Sequence, residues 1–186
     1  MRSPIDTHVQ MVPEELAQGL RAWRCPTSKG CWIDGDIYRA WIKRRIADPE
    51  TDTPAPDTPP SSPTLAPDTH TALLSPRTGR LLTKLVVHAD LNFRIDYDTH
   101  SGGFWLDRGE FEAIAQRGLA RSLHDIAAPA WQRKAQEQER SDARRQQLVD
   151  LFGEPNVWRA EQAADWLRET DHQQALAAYI LELTER

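Results

Sequence analysis

Asp98-Thr99-His100-Ser101-Gly102-Gly103-Phe104-Trp105-Leu106-Asp107-Arg108-Gly109-Glu110 runs from a polar turn through an apolar triplet into the start of a helix. The glycines permit a tight turn, the triplet has to be buried, and Asp107 with Glu110 forms an Asp-x-x-Glu capping box. The same order of residue types occurs upstream. Gly30-Cys31-Trp32-Ile33-Asp34 is followed by Tyr38 at the spacing that separates Asp107 from Phe111. In each copy the glycine is expected at positive φ, and Trp plus an aliphatic residue bury the turn. Asp is expected to cap a helix whose first aromatic closes over the Trp. The chain is read as two copies of one turn-to-helix unit.

Outward from this stretch, residues 80–88 read as a strand and residues 91–97 as its partner. Leu91, Phe93, Ile95 and Tyr97 share one face of the second strand, leaving Asn92, Arg94 and Asp96 on the other. Residues 13–20 read as a short helix and 35–46 as a better one, with Ile37, Trp41 and Ile42 on its apolar side. Lys43, Arg44 and Arg45 suit the negative end of that helix dipole. Beyond Glu110 everything reads as helix. One helix stops at Gly118, a short one follows, Pro129 opens a long one ended by Gly153, and residues 157–169 and 173–183 form a helical hairpin.

Between the two copies, Pro49, Pro54, Pro56, Pro59, Pro60, Pro63 and Pro67 stand among Thr, Ser and Asp, with Leu65 almost alone as a large apolar group. Such a segment has no face to bury and reads as a semi-extended linker. Pro56-Asp57-Thr58-Pro59 also fits the PxxP recognition pattern, which is of low specificity. The chain divides into 1–47, the linker 48–72, 73–118 and a helical region 119–186. A net charge of −5 disfavours a general nucleic-acid binder. Two cysteines, Cys25 and Cys31, are too few for a disulfide scaffold. No apolar run approaches a membrane span and Met1-Arg2-Ser3-Pro4 lacks a signal-peptide core, so a cytoplasmic protein with no membrane partner is expected.

The segment Gly102-Gly103-Phe104-Trp105-Leu106-Asp107-Arg108-Gly109-Glu110 resembles the second half of the transcription factor IIB-type zinc-finger domain of bacterial proteins. The mark of that family is Cys-Pro-x-Cys, a hairpin, then Cys-x-x-Cys-Gly-Gly-x-Trp-Leu-Asp-x-Gly-Glu. Residues 73–120 are similar to it throughout, and 21–46 more loosely. Trp131-Gln132 in the helical region is also similar to the family's tails. The resemblance implies an α+β fold: a small two-stranded, zinc-ribbon-like hairpin packed on a mostly helical C-terminal region. It places Trp32, Asp34, Gly102, Gly103, Trp105, Asp107, Gly109 and Glu110 in the structural motif. It also implies ligand positions at Ser75, Thr78, Asp98 and Ser101, and at Cys25 and Ser28 in the first copy. Cysteine survives at only one of these six, Cys25. Hydroxyls stay protonated near neutral pH and cannot replace the thiolates that compensate zinc for its lost water. No cofactor is expected. A rival set of Cys25, Cys31, His88 and His100 has the right number of ligands but an unusual Cys-x5-Cys spacing. Cys31 matches Phe104 of the other copy, which favours a buried apolar role.

Catalytic signals are sparse. The sequence has no Gly-rich phosphate loop, nucleophile elbow or His-Glu-x-x-His helix. Asp107 and Glu110 are explained as caps before they are an acid–base pair. The mixed charges of the long helix read as a solvated face. Arg39, Lys43, Arg44 and Arg45 are the candidate phosphate contacts. The function expected is non-catalytic: a binding or adaptor protein whose partner is another protein, with a nucleic-acid-associated transcription accessory as the alternative. Metal analysis of the purified chain should return well under one zinc per chain; stoichiometric zinc that survives dialysis would contradict this.

Overall fold

The computed structural model describes residues 1–47, 65, 71–88, 91 and 93–183, and residue 184 for its backbone. The proline-rich stretch, apart from residues 65, 71 and 72, and its PxxP pattern lie outside the described residues. The fold is α+β, with the strands towards the N-terminus and the helices towards the C-terminus. The chain divides into two units, Met1–Gln136 and Glu137–Arg186.

The first unit holds one six-stranded antiparallel sheet: β1 (Val12–Ala17), β2 (Leu20–Arg24), β3 (Cys31–Ile33), β4 (Thr83–Val86), β5 (Arg94–Tyr97) and β6 (Phe104–Leu106). The strand order β1-β2-β3-β6-β5-β4 is symmetric about its middle. Each copy supplies three strands, and the two copies meet where β3 pairs with β6. There Trp32 stands opposite Trp105, flanked by Cys31 opposite Leu106 and Ile33 opposite Phe104. The strand period of two sends the tryptophans to one face and their neighbours to the other.

Both faces are covered. On one, Cys31, Ile33, Phe104 and Leu106 join Leu85, Ile95 and the inner residues of α1 (Gly35–Ala47), α2 (Glu110–Gln116) and α3 (Leu123–Ile126). Tyr38 ties this layer together: its hydroxyl donates to the Ala120 carbonyl at 3.0 Å and accepts the Leu123 amide at 2.9 Å. Trp131 donates to the Val87 carbonyl, and the Gln132 side chain bonds both backbone groups of Val86, so the start of α4 (Pro129–Phe152) is fastened to the sheet edge. On the opposite face Trp32 and Trp105 pack with Met11, Cys25, Leu73 and Leu82.

The central packing is reciprocal. A Cβ on Gly30 would lie 2.3 Å from Cζ2 of Trp105, and one on Gly103 would lie 2.3 Å from Cζ2 of Trp32. Each indole therefore lies across the glycine of the other copy. Each also donates to the carboxylate two residues on, Trp32 to Asp34 at 3.0 Å and Trp105 to Asp107 at 2.8 Å.

Several expectations are corrected. The expected two-stranded hairpin is β4 and β5 of a six-stranded sheet, to which residues 1–47 add β1, β2 and β3. Residues 13–20 are strand β1 and its turn, not a helix. Pairing with β2 overrides their helical composition, and Gly19 at φ 75° turns the chain. Asp107 does not cap α2, because its carboxylate holds the Trp105 indole; the N-cap is Gly109 at φ 86°. Glu110 still accepts the Asp107 amide at 2.8 Å, which is half of the capping box. The positive φ falls on Gly102 and Lys29, one residue before the glycines that face the indoles. Tyr38 and Phe111 belong to the helix-side layer and do not close over the tryptophans.

The second unit comprises the rest of α4, α5 (Glu154–Glu169) and α6 (Gln173–Thr184), close to the sequence reading. Arg145 binds Glu154 and Glu161, bracing α4 against α5.

Gly30→Ala or Gly103→Ala should each cost about 3 kcal/mol or more in urea unfolding, because a Cβ must displace a buried indole. Gly79→Ala meets nothing within 4 Å and carries only the left-handed backbone penalty, so about 1 kcal/mol is expected. Equal small losses at all three would refute the reciprocal packing.

Candidate functional site

The most densely bonded polar cluster contains all four positions singled out in the second copy. Ser75, Thr78, Asp98 and Ser101 come together where two turns meet. Ser75 Oγ accepts the amides of Arg77 and Thr78, both at 3.1 Å. Asp98 Oδ1 accepts the amides of His100 at 2.9 Å and Ser101 at 3.3 Å. Its other oxygen accepts the hydroxyls of Thr78 and Ser101, each at 2.8 Å. The Ser75 hydroxyl further favours the charged form of Asp98. Asp98 and Ser75 are 1% and 3% exposed. Burial alone would raise the Asp98 pKa, but these hydrogen bonds outweigh it and bring it down to about 2.

The first copy repeats the arrangement with one position that sequence reading passed over. Ser3 Oγ accepts the amides of Ile5 and Asp6, both at 3.3 Å, as Ser75 does for its own turn. Cys25 stands where Asp98 stands: its amide donates to Gly30 and its carbonyl accepts from Lys29, matching the Asp98 bonds to Gly103 and Gly102. Ser28 Oγ accepts the Gly30 amide as Ser101 Oγ accepts that of Gly103. Thr27 lies 3.1 Å from the sulfur. Burial alone would raise the Cys25 pKa, yet the hydroxyls of Ser28, Ser3 and Thr27 bring it down to about 6. The signal for Ser3 was present in the sequence. Ser3-Pro4 and Ser75-Pro76 precede Cys25 and Asp98 by nearly the same interval, and each pair opens a turn closed by a bridge, Arg2 to Gln10 and Leu74 to Leu81.

The second cluster is spaced for hydrogen bonds rather than for a tetrahedral ion. Ligands of a tetrahedral ion at about 2.0–2.3 Å sit roughly 3.3–3.8 Å apart. The Thr78–Asp98 and Asp98–Ser101 contacts are shorter and are themselves hydrogen bonds, so they occupy the space an ion would need. The rival set is not brought together. Cys25 packs on the tryptophan face, Cys31 on the helix face, and burial pushes the Cys31 thiol up to about 12. His88 and His100 are exposed. Among the described residues no group of three or more His, Cys, Asp or Glu could hold a metal ion.

The basic cluster is divided by the fold. Arg39 pairs with Asp36. Arg44 and Arg45 donate to the carbonyls of Gly19 and Gln18, and Arg45 lies over the Trp41 ring, so both fasten α1 to the β1–β2 turn. Lys43 is exposed and borders two shallow grooves: one of about 390 Å³ with Arg39, Ile42 and Ile46, and one of about 760 Å³ with Arg21, Ile37 and Arg44. No helix among the described residues is long and apolar enough to cross a membrane. No protein-family model matches the chain, and no curated protein or solved structure does either.

Because the Asp98 pKa is depressed in the folded state, its contribution is complete above the unfolded value near 4 and is lost as pH falls through about 2. Asp98→Asn should lower stability at neutral pH by on the order of 2 kcal/mol. It should also flatten the loss of stability between about pH 4 and pH 2. Acid titration of unfolding free energy for both proteins checks this; parallel curves would rule the carboxylate out as the hub of the turn.

Proposed function

We propose that the chain is a non-catalytic protein-binding adaptor built on a zinc-ribbon scaffold of the transcription factor IIB type, in which hydrogen bonds have taken the place of the metal. Its amide-to-acceptor turns support the kinship, since each turn points two backbone N–H groups at the residue standing in a ligand position. The observation that carries the functional reading is a contrast. The Asp98 cluster is buried and internally bonded, whereas α1 presents Arg39, Lys43 and Ile46 to solvent beside two grooves. A partner offering an acidic segment with a few apolar side chains fits that surface. Nucleic acid is the second reading, favoured by Arg39, Lys43 and Arg44 on the exposed side of α1.

The test is capture of partners from host extract by the full chain and by its Lys43→Glu and Arg21→Glu variants. A protein retained by the parent and lost from both variants is expected. Retention by all three would contradict the assignment to α1. Nucleic acid whose retention falls steeply with salt would favour the second reading.

A further inference from the structure

The second unit leaves a ridge and a groove open in the same chain. Leu176, Tyr179, Ile180 and Leu183 form one stripe at helical spacing on α6, and the last three are 57%, 37% and 51% exposed. Between α4 and α5 lies a groove of about 690 Å³ walled by Leu148, Phe152, Val157, Ala160 and Ala164. The turn at His172, with φ 67°, sets α6 beside α5, with Leu176 half-buried, and no α6 residue lines the groove. A helix this short is marginal in water unless its apolar stripe is covered. Its ordering cost of roughly 1–2 kcal/mol per residue has to be offset by burial.

We infer that the partner of this surface is a second copy of the chain, with the α6 ridge of each copy seated in the α4–α5 groove of the other. A two-fold pairing uses each ridge and each groove once, which is the self-complementarity that symmetric dimers require. Specific association needs about 1,000 Å² of buried surface in total, which is the contact the two ridge–groove pairs together have to supply. Arg144 on the groove wall and Glu182 beside the ridge add opposite charges at the seam. Residues 137–186 carry eleven carboxylate side chains against six arginines, so general repulsion opposes the pairing. Screening at physiological salt limits that repulsion to neighbouring charges. The balance gives a weak dimer with a dissociation constant in the micromolar range.

Sedimentation of the full chain between about 1 and 100 µM should show the mass rising from 21.2 kDa towards twice that value. Ile180→Glu spoils the ridge and Ala164→Glu spoils the groove, and each should weaken the dimer at least tenfold. Mixing the two variants restores one intact ridge–groove pair, so a mixed dimer tighter than either variant's own should appear. A parent that stays monomeric throughout, a dimer indifferent to both substitutions, or mixing without recovery would each overturn the proposal.

Discussion

The first unit depends on two indoles that each require the other copy's glycine. Trp32 and Trp105 stand opposite each other across the β3–β6 seam, and a side chain at Gly30 or Gly103 would occupy ring positions. Each tryptophan is covered in part by the other copy, because its ring lies across that copy's glycine. The sheet is continuous for that reason: the strands flanking the seam are brought into register by the rings at its centre. The indole bonds to Asp34 and Asp107 then fix the rings and, through the chain that follows, the starts of α1 and α2.

Around that centre, the turns illustrate how polar groups can hold a shape. Asp98 gathers hydroxyl and amide donors at distances that leave it fully hydrogen-bonded, and Cys25, with a softer sulfur, sits in the matching place among hydroxyls. A structural zinc ion can be worth about 10–16 kcal/mol to a small domain. Hydrogen bonds to a charged acceptor give about 1.5–3 kcal/mol each, so the four that Asp98 accepts are together of a similar order. The two copies also merge into one sheet with a layer on each face, so that each turn lies on a larger core than an isolated ribbon would have.

Much of this was legible in the chain. The recurrence of Gly-x-Trp-x-Asp located both halves of the seam, and helix boundaries after Pro129 followed from Gly153 and the apolar spacing. Pairing of the halves was not legible, because β3 and β6 are three-residue strands whose alternation is too brief to read and whose contact is made only across the fold. Residues 13–17 misled for a related reason: Glu14, Glu15 and Leu16 favour helix locally, and only the β2 ladder makes them strand. Of the candidate site, the hydrogen bonds join Thr78, Asp98 and Ser101 beside the Ser75 turn, while Ser3 was hidden by the weakness of a Ser-Pro repeat. The capping role of Asp107 was misread because the competing acceptor need of a buried indole cannot be seen in a helix-start pattern.

Native-state hydrogen exchange of the two buried indole N–H groups tests the mutual dependence of the copies most directly. The account predicts that Trp32 and Trp105 exchange with the same opening free energy, equal to that of global unfolding of the first unit. Exchange of one indole through a distinctly lower-energy opening, with the other still protected, would mean that the copies fold independently and would contradict it.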